Sequence, residues 1–332
     1  MITASAAGHV PSPARVAPPE PAVAGDPPVD QVTVLEKAIT IFFVLAPAIG
    51  VGVAAISVWG VGFDWFHLAL LLGMFFVTSV GISVGYHRLF SHRSFKTYGI
   101  VQGMLAAMGA MAVTGTARNF VANHRRHHSH ADRPGDPHSP HHYEDDDHGV
   151  WGTVKGFWHA HTGWFLSKTD HPNERRYAAE FFEPSAVRFV DQTNGLWVLL
   201  GLIIPMAVAG LIGGSWTAAW LGLLWGGLVR IFLVHHLTWS INSVCHLWGN
   251  RPYHSGDHSR NNALFGILGM GEGWHNNHHA FPFSSRHGLR WWQLDGGYLF
   301  IRGLKLVGLA WDVRSPSKNQ LEAAARRAAN AR

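Results

Sequence analysis

The chain has 332 residues, with 26 Lys+Arg against 21 Asp+Glu, and only 14% of its residues are charged. The basic excess is too small to argue for a nucleic-acid partner, whereas 15 Trp and 19 Phe in so uncharged a chain indicate long apolar segments and membrane interfaces. Cys245 is the single cysteine, which excludes an intrachain disulfide and any Cys-based zinc or iron–sulfur site, so a metal would be held by nitrogen or oxygen.

Residues 1–33 read as a disordered tail: the first 30 carry seven prolines and many alanines, a composition that buries too little surface to offset chain entropy. The tail matches neither a secretory signal nor a transit peptide, so the first spanning helix is expected to act as the insertion signal. No charged residue occurs from Ala38 to Phe63 or from Trp65 to Tyr86, and Gly60, Gly62 and Asp64 form the break between them. A helix of about 20 residues crosses a hydrocarbon core of about 30 Å, so spans are predicted near 38–59 and 65–86. A second pair follows at 195–212 and 216–239, separated by Gly213, Gly214 and Ser215.

Residues 99–117 are uncharged but rich in Gly and Thr. Positions 87–190 hold 12 Lys/Arg and positions from 251 onward hold 11, while the two short turns hold none. The positive-inside rule then puts both basic segments and both termini in the cytoplasm, which four spans satisfy and five do not. Residues 99–117 are therefore expected to be buried, re-entrant or interfacial. The fold class is all-α integral membrane, with four spans as two hairpins and a cytoplasmic helical cap (87–190 and 246–314) within a domain of 34–314. Residues 315–332 form a C-terminal tail. The stretch GLRWWQLDGGYLFIRGLKLVGLAWDV mixes Trp and Leu with Arg and Lys, as in a helix lying in the headgroup plane, with a buried amphipathic helix as its rival.

The 24 histidines are clustered. HRLFSH supplies His87 and His92, HRRHH supplies His124, His127 and His128, NSVCH supplies Asn242 and His246, and HNNHH supplies His275, His278 and His279. All four groups fall on the cytoplasmic side of this topology. Positions i, i+3 and i+4 share a helix face, so each H-x-x-H-H aims its imidazoles one way, as do Asn242 and His246. His87 and His92 are five apart and do not share a face in an α-helix, so one must sit past the helix end or serve a different ion. Nine histidines exceed the roughly four to six ligands of one transition metal, which suggests a dinuclear site of Zn, Cu, Fe or Ni. Glu272, beside the third cluster, is a candidate ligand or base, and it suits better the outer role of accepting a ligand's other N–H. His130, His138, His141, His142 and His148 read as members of a solvated Asp/Pro loop. His235 and His236 are expected to bond between helices or reach the interface, and Arg230, inside the fourth span, to snorkel or pair internally. HPNE at 171–174 is not a haem-binding HPGG.

The ordered set H-x-x-x-x-H, H-x-x-H-H, N-x-x-x-H, H-x-x-H-H through four spans resembles the membrane fatty-acyl desaturases, in particular the stearoyl-CoA Δ9 branch. Roughly residues 38–312 are covered, and GYHRLFSH, DPHSP, HTGW, NSVCHLWGNRPY and GEGWHNNHHAFPF carry the likeness. The resemblance implies that the nine histidines bind two irons, replaceable by zinc in recombinant protein, and that Asn242 completes the site through a water. It implies O2-dependent cis desaturation of an acyl-CoA or acyl-lipid, with electrons from a separate ferredoxin, cytochrome b5 or reductase. It further implies a bent acyl tunnel, with Thr238 and Trp239 at the bend, Phe120 where relatives often carry Trp, and Phe75 and Ser79 at the floor. Arg125, Arg126, Arg251 and Arg260 are basic enough to meet a CoA or lipid phosphate, and a positive-inside surface would equally produce them. A related alkane or fatty-acid hydroxylase is the nearest rival. A histidine-rich metal transporter is more remote, since it would need ligands inside the membrane along a pathway.

Overall fold

The computed structural model describes residues 31–61, 64–141, 149–166 and 172–330. The stretch 1–30, His142 and His148 lie outside the described residues.

Helix α1 (Val34–Val61) opens on a capping box in which Glu36 N–H donates to Thr33 Oγ1 and Thr33 N–H donates to Glu36. This box starts the helix four residues before the uncharged run. Helix α2 (Trp65–Val80) is capped by Asp64, which accepts from His67 N–H at 2.8 Å, and continues without interruption as a π-helix over Gly81–Ser91. Strand β1 (Lys96–Thr97) and helices α3 (Gly99–Ala110) and α4 (Ala117–His130) follow.

Next come α5 (Val150–Trp158), a π turn over His159–Gly163, and the short α6 (Trp164–Leu166), α7 (Glu174–Tyr177) and α8 (Ala186–Gln192). Helix α9 (Asn194–Gly213) ends at Gly214, whose φ of 61° suits a residue without a side chain. Helix α10 (Trp216–Gly222), a π segment Leu223–Val229 and α11 (Arg230–Leu247) form one rod. The chain ends through α12 (Ala263–Leu268), α13 (His275–Ala280), α14 (Gly296–Leu306), strand β2 (Ala310–Trp311, antiparallel to β1) and α15 (Lys318–Asn330). The residues read as a C-terminal tail thus carry a helix.

Four rods are long and apolar enough to cross a membrane: Val34–Ile56, Trp65–Ser91, Asn194–Gly213 and Trp216–Leu247. The second and fourth outrun the predicted spans because their helices continue beyond the apolar run to carry histidines. Helix α1 packs chiefly on Leu223–Val229 of the fourth rod rather than on α2, its neighbour in sequence. Gly50 makes that contact possible, since a methyl there would lie 2.6 Å from Leu228 Cβ. Helix α3 is too short to cross, at about 18 Å for its 12 residues. It buries Val101, Leu105 and Ala106 and exposes Ile100 and Met104. The largest apolar core joins Val84 and Tyr86 of the second rod to Leu105, Val121 and Ile301, and it braces the segments that carry the histidines. Helix α14 buries Ile301 and exposes Leu299 and Leu306, a one-sided surface helix.

Candidate metal centre

The i→i+5 turn of the π segment brings His92 back over His87. His92 N–H donates to His87 O at 3.1 Å, and the two rings lie 4.9 Å apart. His92 sits one residue past the helix, at its C-cap, and both imidazoles enter one group. A separate ion for one of them is unnecessary, because the π turn aligns a spacing that an α-helix would splay.

The nine histidines converge as two cages, each with one ligand atom per residue within 4.8 Å of all the others. One holds His87, His92, His124, His128 and His278; the other holds His127, His246, His275 and His279. In the first, Nε2 atoms face each other at 2.7 Å (His92 and His124), 2.9 Å (His128 and His278) and 3.1 Å (His87 and His278). In the second, His275 Nε2 is 3.1 Å from both His246 and His279, and His127 is 3.4 Å from His279. Imidazole nitrogens at about 2.1 Å from a shared ion, about 90–109° apart, lie roughly 3.0–3.4 Å from one another. The donor set therefore fits two transition ions.

The fit extends to the protons. Burial first, then neighbouring imidazoles, pushes His92, His124, His128, His275 and His278 well below the ordinary histidine value, which keeps them neutral as ligands must be. Behind the second cage, His127 Nδ1 meets Asp136 at 2.9 Å, His246 Nδ1 meets Asp132 at 2.8 Å and His279 Nδ1 meets Asp257 at 2.7 Å. Burial alone would raise these three carboxyls, but the facing imidazoles hold each well below the usual carboxylate range. Behind the first cage, Glu272 takes His87 Nδ1. Its other oxygen accepts from Ser83 Oγ at 2.5 Å and from Arg88 at 3.0 Å. Arg88 is fully buried and also donates to Asp295 at 2.9 Å and to Met270 O at 3.2 Å.

A cavity of about 620 Å³ runs beside both cages, touching His87, His124, Glu272 and His275. Asn242 lines it next to these groups. Ser79, Phe120, Thr238 and Trp239 line it too; Phe75 does not, and packs instead with Ile82, Ala112 and Val234. None of the four arginines read as headgroup contacts lines the cavity. Arg125 donates to Phe90 O, Ser91 O, Tyr177 O and Glu180, Arg126 to Gly135 O, Arg251 to Asp257 O and Arg260 to Gly249 O. They brace backbone turns while each stays half-exposed.

A model of the fatty acid desaturase family matches residues 63–298. The chain belongs to the fatty acid desaturase family. The desaturase is 44% identical over 277 residues to a hex-5-enoyl-[acyl-carrier protein] acetylenase of Moorena producens, covering 83% of this chain and 86% of that one. It is 38% identical over 260 residues to an acyl-CoA C20 Δ5-desaturase of Anemone leveillei (77% and 76% covered). It is 35% identical over 261 residues to an sn-1 stearoyl-lipid 9-desaturase of Anabaena variabilis (78% and 88% covered). The desaturase is accordingly a lipid-metabolic oxidoreductase with a metal-binding, histidine-rich site, acting on an acyl-lipid or acyl-CoA.

Several groups escaped the sequence reading. The loop read as solvated supplies Asp132 and Asp136, and His138 in it is buried, stacked 4.4 Å from His127 and pushed down to about 3 by burial and by His127. His130 donates within its own helix turn to Arg126 O, and His141 reaches His246 O at 3.1 Å. Asp257, Asp295 and His287 were not singled out, although His287 lies within 5.3 Å of His87 ring to ring. The available signal was chemical: a buried ligand imidazole needs an acceptor for its second N–H. His235 bonds Ala112 O and Val113 O, and His236 faces His161 at 3.0 Å. Arg230 pairs internally, donating to Gly226 O, Met111 O and Gly201 O.

Proposed function

We propose that the desaturase removes two hydrogens from adjacent methylenes of a saturated acyl chain, at the Δ9 position, to give a cis double bond. The reaction consumes O2 and two electrons from a separate ferredoxin, cytochrome b5 or reductase. Two irons held by the nine histidines, with Asn242 acting through a water, would supply the oxidant that an unactivated C–H bond requires. The chain's own residues do the rest. Buried cages and apolar walls exclude water, Thr238 and Trp239 bend the acyl chain, and Phe120 and Ser79 limit its path. In this reading the four spans form two hairpins with the termini and the metal centre in the cytoplasm, where soluble electron carriers are found; the Lys/Arg excess of 87–190 and of 251 onward supports it.

The observation that carries this reading is the apolar cavity running directly past two imidazole cages. A transporter would need ligands along a path through the membrane, whereas these nine imidazoles gather at helix ends. The test is gas chromatography of fatty acids from expressing cells, with double-bond position mapped. New cis-Δ9 alkenes are expected, lost in His278→Ala while the protein still inserts in the membrane. Full activity in that variant would sink the two-metal assignment. Hydroxylated products without alkenes would point to the hydroxylase rival, and double bonds at another carbon would overturn Δ9 alone.

A further inference from the structure

Helix α1 is built in two unlike halves. From Pro47 onward it is anchored: Pro47, Gly50 and Ala54 are buried, and Ala54 packs with Leu71, Leu224 and Val229. From Val34 to Ala46 no residue is buried at all. The half-buried residues there include Lys37, Thr40, Phe43 and Val44, and these four line the cavity. The opposite face, with Leu35 at 70% and Phe42 at 61% exposure, looks outward from the protein. One half-helix, packed on α6 and α11 without burying any residue, therefore separates the cavity from the outer apolar face that carries Leu35 and Phe42.

The join between the halves is Pro47, inside the helix. Proline has no N–H to give the carbonyl of Phe43 and its ring crowds that turn, so helices bend at such sites. Carrier chemistry is constrained by charge. Among the described residues, the cavity's charged groups away from the cages are Lys37 and Arg118 against Glu36 and Glu174, and Arg118 is paired to Glu174 at 2.7 Å. These charges cancel. Such a rim offers no cation excess for the several phosphate charges of a CoA or for an acidic carrier protein. It suits a polar headgroup held at the membrane interface.

We infer that residues 34–46 form a lateral gate hinged at Pro47, and that the acyl chain enters from the bilayer while still attached to a membrane lipid. The inference rests on the desaturase reading and specifies its substrate as acyl-lipid. Opening would swing Ile39, Phe43 and Val44 aside while Gly50 and Ala54 stay seated on the fourth rod. The polar first turn of α1 would remain level with the headgroup.

The test uses the full-length, metal-bound protein in phosphatidylcholine nanodiscs, without reductant. One arm contains phosphatidylcholine with a mid-chain diazirine on its stearoyl group, and the other receives diazirine-stearoyl-CoA in the aqueous phase. After irradiation, the lipid probe is expected on cavity residues Phe43, Val44, Ile82 and Val234. Pro47→Ala, which restores the missing N–H, should lower this labelling severalfold while labelling at outward-facing Phe42 and Leu45 persists. Hydrogen exchange of the unmodified protein gives a reading independent of the variant: amides 38–46 should exchange faster than amides 48–56. Lipid probe confined to the outer face, CoA probe alone in the cavity, unchanged cavity labelling in Pro47→Ala, or equal exchange in the two halves would each overturn the gate. Lipid probe in the cavity but no new alkenes in cells would sink the desaturase reading and leave the gate standing.

Discussion

The two imidazole cages share neighbouring helices and similar spacings, yet they are built on different electrostatics. The four-histidine cage has carboxylates behind three of its ligands, Asp136, Asp132 and Asp257, whereas the five-histidine cage has one, Glu272, already shared with Arg88. A carboxylate on Nδ1 makes Nε2 a stronger donor and offsets a cation's charge in a buried place. One cage would thus hold an ion by charge and the other by number of imidazoles. Glu272 is tied as much to the buried guanidinium as to its histidine.

That contrast predicts different failures. Asp257→Asn is expected to weaken one metal site by about 10–100-fold, seen as selective loss of one of two ions in a chelator competition followed by elemental analysis. Glu272→Gln should leave metal affinity less changed and lower thermal stability instead. It leaves Arg88 with Asp295 as its only carboxylate among the described residues, and breaking a buried pair costs up to about 3–5 kcal/mol. Equal affinity losses in both variants would erase the distinction.

Acidification tests the neutral cage next. The unfolded chain takes up histidine protons near pH 6.5, while half-buried His92, His124 and His128 and buried His275 and His278, desolvated and crowded by other imidazoles, resist them until much lower pH. Below about pH 6.5 the unfolded state therefore binds more protons, and stability falls with pH. The carboxyls of Asp132, Asp136 and Asp257, held low when folded, add their loss only near and below about pH 4. The melting temperature of chelated protein should be level above pH 7 and decline toward pH 5; a flat profile over that range would refute neutral, buried imidazoles. The smallest effect is expected from His138→Ala. Its ring stacks on His127 without joining the nine-histidine set, so metal stoichiometry should stay at two. Loss of an ion would make His138 a ligand and the cages less unlike.

The spans and the convergence of the H-x-x-H-H motifs were legible because uncharged length and i, i+3, i+4 spacing act locally. His92 was legible as a member of the set but not in its geometry, since nothing in the local spacing announces the π turn over Gly81–Ser91 that carries it. The aspartates were hidden for a different reason. Composition around 130–148 describes a solvated loop, and only tertiary packing turns Asp132 and Asp136 inward. The packing of α1 was equally invisible: a two-glycine break next to Asp64 suggests close contact with α2, while the small face at Gly50 and Ala54 favours the fourth rod. Arg125 shows the converse. A basic residue in a basic segment reads as surface, and here three carbonyls and Glu180 claim its guanidinium.

Arg230 bears on how the chain is made. Two of its three carbonyl acceptors, Met111 and Gly201, belong to segments synthesised before it. When the fourth rod leaves the ribosome, the residues whose oxygens will solvate its one charge have already been synthesised, so the last span need not carry that charge into lipid alone. The arginine is a latch that closes only once the earlier part of the protein has been built.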